Sequence, residues 1–78
     1  IRLWTYSGHS GTIQSIDIDS ENNIYTGSTD TKLMKLDKAG NEIWEYTELT
    51  AGILSVQLDN QNNIYLTDNS MFLRKLTQ

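Results

Sequence analysis

Three residues of this chain carry side chains that could form a nucleophilic catalytic site. His9 is the one histidine of the sequence, and Ser28 and Asp30 lie near each other further along. A histidine held by a carboxylate and facing a hydroxyl is the arrangement that activates a serine for acyl transfer. A glycine-rich motif that would build an oxyanion hole does not accompany these residues. We therefore predict that the chain has no catalytic residues and is not an enzyme.

A second group of polar residues could bind a cation. Asp17, Asp19, Glu21 and Asn22 crowd oxygen atoms into a segment that resembles part of a calcium-binding loop. The glycine at the sharp turn and the closing glutamate of such a loop are both absent. A tight turn between strands uses the same residue types for hydrogen bonds to its own backbone. The sequence has no cysteine, which excludes thiolate metal sites, and we predict neither a metal site nor a cofactor.

The charge balance argues against two classes of partner. The 78 residues include 6 lysines and arginines and 10 aspartates and glutamates, for a formal charge of −4. This is a poor match to nucleic acid or to an anionic membrane. The longest apolar run is far shorter than the roughly 20 residues that span a bilayer, so we expect a soluble chain of unknown compartment. The chain begins at Ile1 rather than methionine, and we expect it to be trimmed, excised or engineered from a longer protein.

The chain repeats itself with a period of 40 residues. A shift of 40 superimposes 38 positions without a gap, and 12 of them are identical. The repeated residues, each with its counterpart 40 positions later, are Trp4, Tyr6, Ile13, Ser15, Asp19, Asn22, Asn23, Ile24, Tyr25, Leu33, Lys35 and Leu36. We predict one domain over residues 1–78, with repeat 1 at about 1–40 and repeat 2 at about 41–78.

Each repeat contains four short β-rich runs separated by turn residues. In the first repeat they span residues 3–7, 12–19, 24–28 and 32–36, and the following run begins at Ile43. Neither proline nor a helical period occurs in them. The intervening SENN, NQNN and DKAGNE supply asparagine or glycine, which tolerate the positive φ of a tight hairpin. Four antiparallel strands in each repeat of about 40 residues predict an all-β fold, a β-propeller with one blade per repeat.

The repeat resembles the units of two propeller families. Residues 8–37 resemble a WD-repeat through a Gly-His pair, the strand TGS, a turn aspartate at Asp30 and a closing Leu-Asp, where that family usually has Trp-Asp. Residues 36–46, LDKAGNEIWEY, resemble the quinoprotein-type repeat, in which a glycine precedes a strand containing tryptophan. The two likenesses together cover nearly the whole chain. Both imply a β-propeller.

The WD-repeat resemblance also implies a structural role for the histidine group. His9, Ser28 and Asp30 match the histidine, hydroxyl and aspartate of that family's hydrogen-bond network, and Leu36 replaces its tryptophan. The resemblance implies that these side chains tie a loop to a strand. The second repeat has different residues at the equivalent positions.

The strand order leaves one blade incomplete. Propeller blades run A, B, C, D from the axis to the rim, and here a D-type strand at residues 3–7 comes first and a C-type strand at 71–77 comes last. We predict two four-stranded antiparallel blades with the chain order D-A-B-C-D-A-B-C, in which the second blade lacks its own D strand. An unpaired strand edge is an aggregation hazard, and a domain of this size is only marginally stable alone.

Head-to-tail association would correct both defects. The D strand of one chain completes the second blade of the next, and such heterologous contacts can close into a ring. Propellers have about four to eight blades, and two blades per chain require an even count. We expect the chain to partner itself as a cyclic trimer or tetramer with six or eight blades. The predicted interface consists of Trp4, Tyr6, Leu73, Lys75 and Leu76.

The repeated aromatic residues allow two interpretations. Trp4, Trp44, Tyr6 and Tyr46 could stack on a flat cofactor or a sugar, but large aromatic residues more often fill the gaps between blades. We therefore predict a non-catalytic, self-assembling scaffold whose ring face or channel binds a protein or a small ligand. The alternative is a fragment of a larger propeller enzyme, or of a cofactor-binding or glycan-binding propeller.

Overall fold

The computed structural model describes residues 4–70 and 72–77. Over these residues the chain forms seven β-strands and no helix. The strands are β1 (Ile13–Ile18), β2 (Ile24–Ser28), β3 (Leu33–Leu36), β4 (Glu42–Tyr46), β5 (Ile53–Leu58), β6 (Ile64–Asp68) and β7 (Leu73–Leu76). The prediction of an all-β chain is confirmed.

The strands β1 to β4 form one antiparallel sheet in sequence order. Asn22 and Gly40 have φ angles of 66° and 90° in the turns that follow β1 and β3, which is the left-handed conformation that these hairpins require. The pairs Thr26 with Met34 and Met34 with Glu45 fix the register of β2, β3 and β4. The predicted turn role of asparagine is confirmed at Asn22.

The strands β5 to β7 form a second antiparallel sheet that repeats this arrangement. Asn62 has a φ angle of 63° in the turn after β5. Leu66 pairs with Arg74, which corresponds at a shift of 40 to the first sheet's pair between β2 and β3. Both sheets also have a register shift at the start of their first strand. In the described part of the chain, no strand pairs with the second edge of β7.

The apolar core lies between the two sheets, which meet through β1, β2 and β5. Its buried members are Tyr25, Leu33, Leu49, Ile53, Val56, Ile64 and Leu66, with Trp44, Tyr46, Leu58 and Leu76 packed against them. A Cβ atom on Gly27 would lie 2.5 Å from Cγ2 of Ile53 and 2.7 Å from Cγ2 of Val56. The absence of a side chain at Gly27 therefore lets β2 approach β5 closely.

Polar side chains of β1 complete the contact between the sheets. The hydroxyl of Ser15 accepts a hydrogen bond from the backbone N–H of Val56 at 3.0 Å, and the carboxylate of Asp17 accepts one from the N–H of Leu58 at 2.8 Å. Because β5 is an edge strand, the N–H groups on its free side need such partners. The two sheets are thus joined by both apolar packing and specific hydrogen bonds.

The N-terminal arm, defined as residues 4–9, forms no strand. The prediction of a strand at 3–7 is therefore wrong for residues 4–7 of a single chain, while Leu3 lies outside the described residues. An extended segment becomes a strand only by pairing with another, and the arm instead packs on the first sheet, with Nε1 of Trp4 donating to the carbonyl of Lys38 at 3.1 Å. The predicted last strand is observed as β7, and Met71 at its predicted start lies outside the described residues.

Candidate functional site

A buried histidine joins the N-terminal arm to the first sheet. Nδ1 of His9 lies 2.9 Å from Oδ2 of Asp30, and Nε2 lies 2.7 Å from Oγ1 of Thr26. The side chains of His9 and Asp30 are 2% and 4% exposed. Oγ of Ser28 accepts a hydrogen bond from the backbone N–H of Asp30 at 3.1 Å. The structure thus brings the three residues together, with Thr26 rather than Ser28 next to the imidazole.

The geometry of this cluster favours a structural role, in which its hydrogen bonds hold the arm on the first sheet, over a catalytic one. Thr26, which faces the imidazole, is buried, so its hydroxyl is not presented to a substrate. The carboxylate of Asp30 also accepts hydrogen bonds from the backbone N–H groups of Ser10 and Lys32. Burial acts to raise the pKa of Asp30, but the hydrogen bonds from Ser10, His9 and Lys32 outweigh it and lower that pKa to about 2. The ionised carboxylate therefore receives bonds from both the arm and the sheet.

Thr26 is a member of the cluster that the sequence analysis missed. It precedes Ser28 by two positions on β2, and side chains two positions apart project from the same face of a strand. A hydroxyl at this spacing from Ser28 was the available signal. It did not stand out because the second repeat has Leu66 at the same position.

The second sheet carries a different polar cluster at the equivalent place. Asp68 is 3% exposed and accepts hydrogen bonds from the hydroxyl and backbone N–H of Ser70 and from Nε of Arg74. The hydrogen bonds from Ser70 and Arg74 lower the pKa of Asp68 to about 2. Leu49 replaces the histidine and joins the apolar core. The buried carboxylate thus sits in a turn in the first repeat and on a strand in the second.

The acidic residues that could have bound a cation serve the protein's own backbone. Asp19 accepts hydrogen bonds from the N–H groups of Glu21 and Asn23 and from the hydroxyl of Tyr25. Asp17 accepts its bond from β5. Over residues 4–70 and 72–77, no group of three or more histidine, cysteine, aspartate or glutamate side chains is placed to hold a metal ion. The contacts of Asp19 support the interpretation of this aspartate as a turn residue, whereas Asp17 joins the two sheets.

The turn closed by Asp19 recurs elsewhere with the same hydrogen bonds. Asp37 and Asp59 also accept bonds from the backbone N–H groups two and four residues later. In every case the asparagine four residues later donates its side-chain amide to the same aspartate. The sequence analysis missed this pattern, which the spacing Asp-x-x-x-Asn at 19–23, 37–41 and 59–63 would have indicated. These turns fix the hairpins whose strands form the two sheets.

The outer edge of β7 is the incomplete part of the second sheet. In the first sheet the ring of Trp44 lies edge-on to that of Tyr25 at 6.1 Å between centroids, and Nζ of Lys35 lies 5.4 Å from the Tyr25 centroid. In the second sheet Nζ of Lys75 lies 5.5 Å from the Tyr65 centroid. Among the described residues no strand occupies the position equivalent to β4. The contact between lysine and tyrosine thus occurs in both sheets, whereas the strand that carries the tryptophan is present only in the first.

The exposure of two equivalent leucines shows the consequence. Leu33 on β3 is fully buried, whereas Leu73 on β7 is 71% exposed. The two residues occupy the same position in the two repeats. Leu33 pairs with Tyr46 of β4 and also packs in the core against the second sheet, and Leu73 has neither neighbour among the described residues. A large apolar side chain on an unpaired edge strand is typical of an interaction surface or an aggregation site.

The five residues predicted to form an interface lie on different sheets. Leu73, Lys75 and Leu76 belong to β7 of the second sheet. Trp4 and Tyr6 lie on the N-terminal arm, against the first sheet, and Trp4 is 41% exposed. The structure of one chain therefore separates the two halves of the predicted interface.

A cleft of about 390 Å³ opens between the sheets beside β7. Its lining consists of Trp44, Glu45, Tyr46, Ile64, Leu76 and Thr77. Most of these side chains are apolar, and two of them belong to the aromatic set of β4. The cleft marks where the fourth strand of the first sheet lies over the neighbouring sheet.

Comparison with known proteins assigns no family to the chain. No family model matches it, and no curated protein is significantly similar to it. The part of the chain that the structure describes has no helix of the length and apolar character needed to cross a membrane.

Proposed function

We propose that the chain is a two-blade segment of a β-propeller that assembles head-to-tail into a closed ring and serves as a binding scaffold. One observation carries this proposal: the second sheet lacks a fourth strand, and the arm has the aromatic residues that the fourth strand of the first sheet has. The second sheet repeats the first three strands of the first sheet. The arm has Trp4 and Tyr6 where the fourth strand has Trp44 and Tyr46.

The exposed apolar side chains of β1 support a second copy as the partner. Ile13 and Ile16 are 44% and 61% exposed, whereas their counterparts Ile53 and Val56 are 0% and 2% exposed in the core between the sheets. Equivalent residues are therefore buried in one repeat and open to solvent in the other. Each Å² of apolar surface removed from water contributes roughly 25 cal/mol, so covering this face with another sheet favours association.

The contacts between the sheets fit neighbouring blades. In the proposed ring β1 and β5 are the A strands next to the axis, and β4 is a D strand at the rim. The sheets meet most closely through β1, β2 and β5, as expected where strands converge on an axis. Two blades per chain require an even number of blades in the ring. Within the usual range of about four to eight blades, we propose three chains with six blades or four chains with eight.

The histidine cluster supports the WD-repeat resemblance for the first repeat. The contacts of His9 with Asp30 and Thr26, and of Asp30 with Ser28, tie the arm to β2, which is the role that the resemblance implies. The second repeat uses Asp68 and Arg74 instead. The proposed blades are thus alike in their strands and different in their polar clusters.

The proposed task of the ring is recognition rather than chemistry. A closed ring would present its turns on two faces and the A strands around a channel, and binding sites in propellers are placed on such a frame. We propose a protein or a small ligand as the bound partner. Symmetry would then offer the same site once per chain.

The mass of the protein in solution tests the assembly. Native mass spectrometry and sedimentation at micromolar concentration should give three or four times the chain mass of 8.9 kDa. A discrete trimer or tetramer supports the proposed ring. A compact monomer that persists over the whole concentration range would show that the chain does not assemble in this way.

A further inference from the structure

The N-terminal arm covers the β3 side of the outer face of the first sheet, which is the face turned away from the second sheet. The β1 side of this face stays exposed. Nε1 of Trp4 donates to the carbonyl of Lys38. The hydroxyl of Tyr6 lies 3.2 Å from Sδ of Met34 and 3.3 Å from Oε1 of Glu42. Met34 is 1% exposed and alternates along β3 with Leu33, which faces the core. The aromatic residues of the arm are therefore seated on the first sheet.

β4 has the same relation to the second sheet. Trp44 and Tyr46 of β4 line the cleft together with Leu76 of β7. Their counterparts 40 residues earlier are Trp4 and Tyr6, which lie against β3 and the turn that follows it. The arm and β4 thus occupy equivalent positions on consecutive sheets. The arm is in the place of a preceding fourth strand before any partner is bound.

We infer that a second copy of the chain docks its β7 on the free edge of the arm, while the arm stays on its own first sheet. The inference rests on the proposed head-to-tail assembly and specifies its contact. The register follows from the pairing of β3 with β4, in which Leu33 lies opposite Tyr46 and Met34 opposite Glu45. The equivalent pairs between copies are Leu73 with Tyr6, Arg74 with Thr5 and Lys75 with Trp4.

This docking gives the side chains and the backbone of β7 the partners that they lack in the single chain. Trp4 of the neighbouring copy comes to lie against Tyr65 as Trp44 lies against Tyr25, on a ring that Lys75 already approaches. The first sheet of the neighbouring copy covers Leu73, as the second sheet covers Leu33 within one chain. An antiparallel partner also satisfies the backbone groups on the free edge of β7.

A second contact, near the proposed axis, joins the same two copies. Within one chain the hydroxyl of Ser15 bonds the backbone N–H of Val56, which is buried. The equivalent pair between copies is Ser55 with the N–H of Ile16, and the side chain of Ile16 is 61% exposed in the single chain. Docking at the rim and at the axis therefore repeats the contact between the two sheets of one chain.

Disulfide trapping tests the register, because the parent sequence contains no cysteine. Residues directly opposite in an antiparallel pair have Cα atoms about 4.5 or 5.5 Å apart, within the range of about 4.4 to 6.8 Å that a disulfide spans. The double variant Thr5→Cys with Arg74→Cys is oxidised and run on a denaturing gel without reductant. The matched control, Thr5→Cys with Lys75→Cys, is shifted by one position.

Arg74 bonds Asp68, so a second pair protects the test against a folding defect. The variant Tyr6→Cys with Leu73→Cys occupies the adjacent rung, and neighbouring rungs of an antiparallel pair alternate between the two Cα separations. We expect at least one in-register pair to give covalent species up to a trimer or tetramer, at least tenfold faster than the shifted control.

The outcomes separate this inference from the proposed function. Covalent ladders from an in-register pair support the docking. A discrete oligomer in which only the shifted pair links, or in which no pair links, overturns the inferred register and leaves the assembly itself intact. A parent chain that stays monomeric overturns the proposed function together with the inference.

The direction in which the loss of the Tyr6 hydroxyl changes the dissociation constant between copies shows whether the arm stays on its own sheet. Tyr6→Phe removes the hydroxyl, whose single hydrogen is shared between Sδ of Met34 and Oε1 of Glu42, but keeps the ring. An arm that stays seated leaves the dissociation constant between copies unchanged or raises it, because the same bonds exist before and after docking. An arm that has to detach lowers the dissociation constant, by about threefold to tenfold for one lost hydrogen bond. Tyr46→Phe on β4 is the matched control, and a lowered constant specific to Tyr6→Phe overturns the inference.

Discussion

The hydroxyl oxygen of Ser15 accepts a hydrogen bond from the backbone N–H of Val56, a residue of the other sheet. This bond predicts different effects for the same substitution in the two repeats. Ser15→Ala should lower the free energy of unfolding of the dissociated chain by about 1 kcal/mol, the usual net contribution of one hydrogen bond. Ser55→Ala should change that free energy by less than about 0.5 kcal/mol and raise the dissociation constant between copies.

Urea denaturation of the dissociated chain and dilution followed by native mass spectrometry measure the two quantities. Equal effects of the two substitutions on both quantities would contradict the equivalence of the two contacts.

The two tryptophans should differ in the same way. Trp44 is packed against the core and Tyr25, so Trp44→Ala should destabilise the chain itself by about 3 kcal/mol, the low end for loss of a large aromatic residue. Trp4 is 41% exposed in one chain, so Trp4→Ala should chiefly weaken assembly, by about 3 to 5 kcal/mol once the side chain is buried between copies. Thermal melts together with sedimentation equilibrium compare the pair. A Trp4→Ala chain that assembles like the parent would speak against the proposed docking strand.

Gly27 predicts a packing penalty. A Cβ atom at this position would lie 2.5 Å from Cγ2 of Ile53 and 2.7 Å from Cγ2 of Val56. Gly27→Ala therefore forces β2 and β5 apart or forces the Ile53 side chain out of its conformation. We expect a loss of about 1 to 3 kcal/mol in the free energy of unfolding, measured by urea denaturation. Thr67→Ala, at the same position in the second repeat, is the control and should cost the dissociated chain less. A fully stable Gly27→Ala variant would mean that the sheets lie further apart than described.

The buried carboxylates predict a loss of stability in acid. The pKa values of Asp30 and Asp68 are lowered to about 2 in the folded chain, from an ordinary value of 3.8. A group with a depressed folded pKa stabilises the protein above its unfolded pKa and loses that contribution as the pH falls through the folded pKa. The urea midpoint should therefore fall between about pH 4 and pH 2.

Asp30→Asn should flatten this pH dependence relative to Glu21→Gln, a neutralising change at an exposed turn residue. Urea midpoints of both variants at a series of pH values make the comparison. An Asp30→Asn chain with the same slope as the control would show that the His9 and Asp30 cluster does not contribute to acid sensitivity.

Local chemistry made the sheets predictable from the sequence. Asn22 and Asn62 mark tight turns in both repeats, and the strands between the turns carry the apolar residues that recur with the period of 40. A turn needs only neighbouring residues, so its signal is complete in a short stretch of sequence. The all-β class and the strands β1 to β7 follow from such stretches.

Features that depend on distant contacts were not predictable in this way. The arm has the residue pattern of a strand, yet residues 4–7 are unpaired. The open edge of β7 belongs to the second sheet, whereas the arm packs on the first. Thr26 joins His9 only because the arm folds over β2. Likewise the close approach at Gly27 depends on the distance between sheets, and one strand pattern is compatible with several such distances.

The Asp-x-x-x-Asn turns have a consequence for the order of folding. Each is closed by an aspartate that bonds residues at most six positions away, and hairpins of this kind form within about 1 to 10 μs. The bond between Ser15 and Val56 joins residues 41 positions apart, so its loop-closure entropy is larger. We expect the hairpins to nucleate first and the sheets to dock afterwards, and any encounter between copies to be the slow, concentration-dependent phase of refolding.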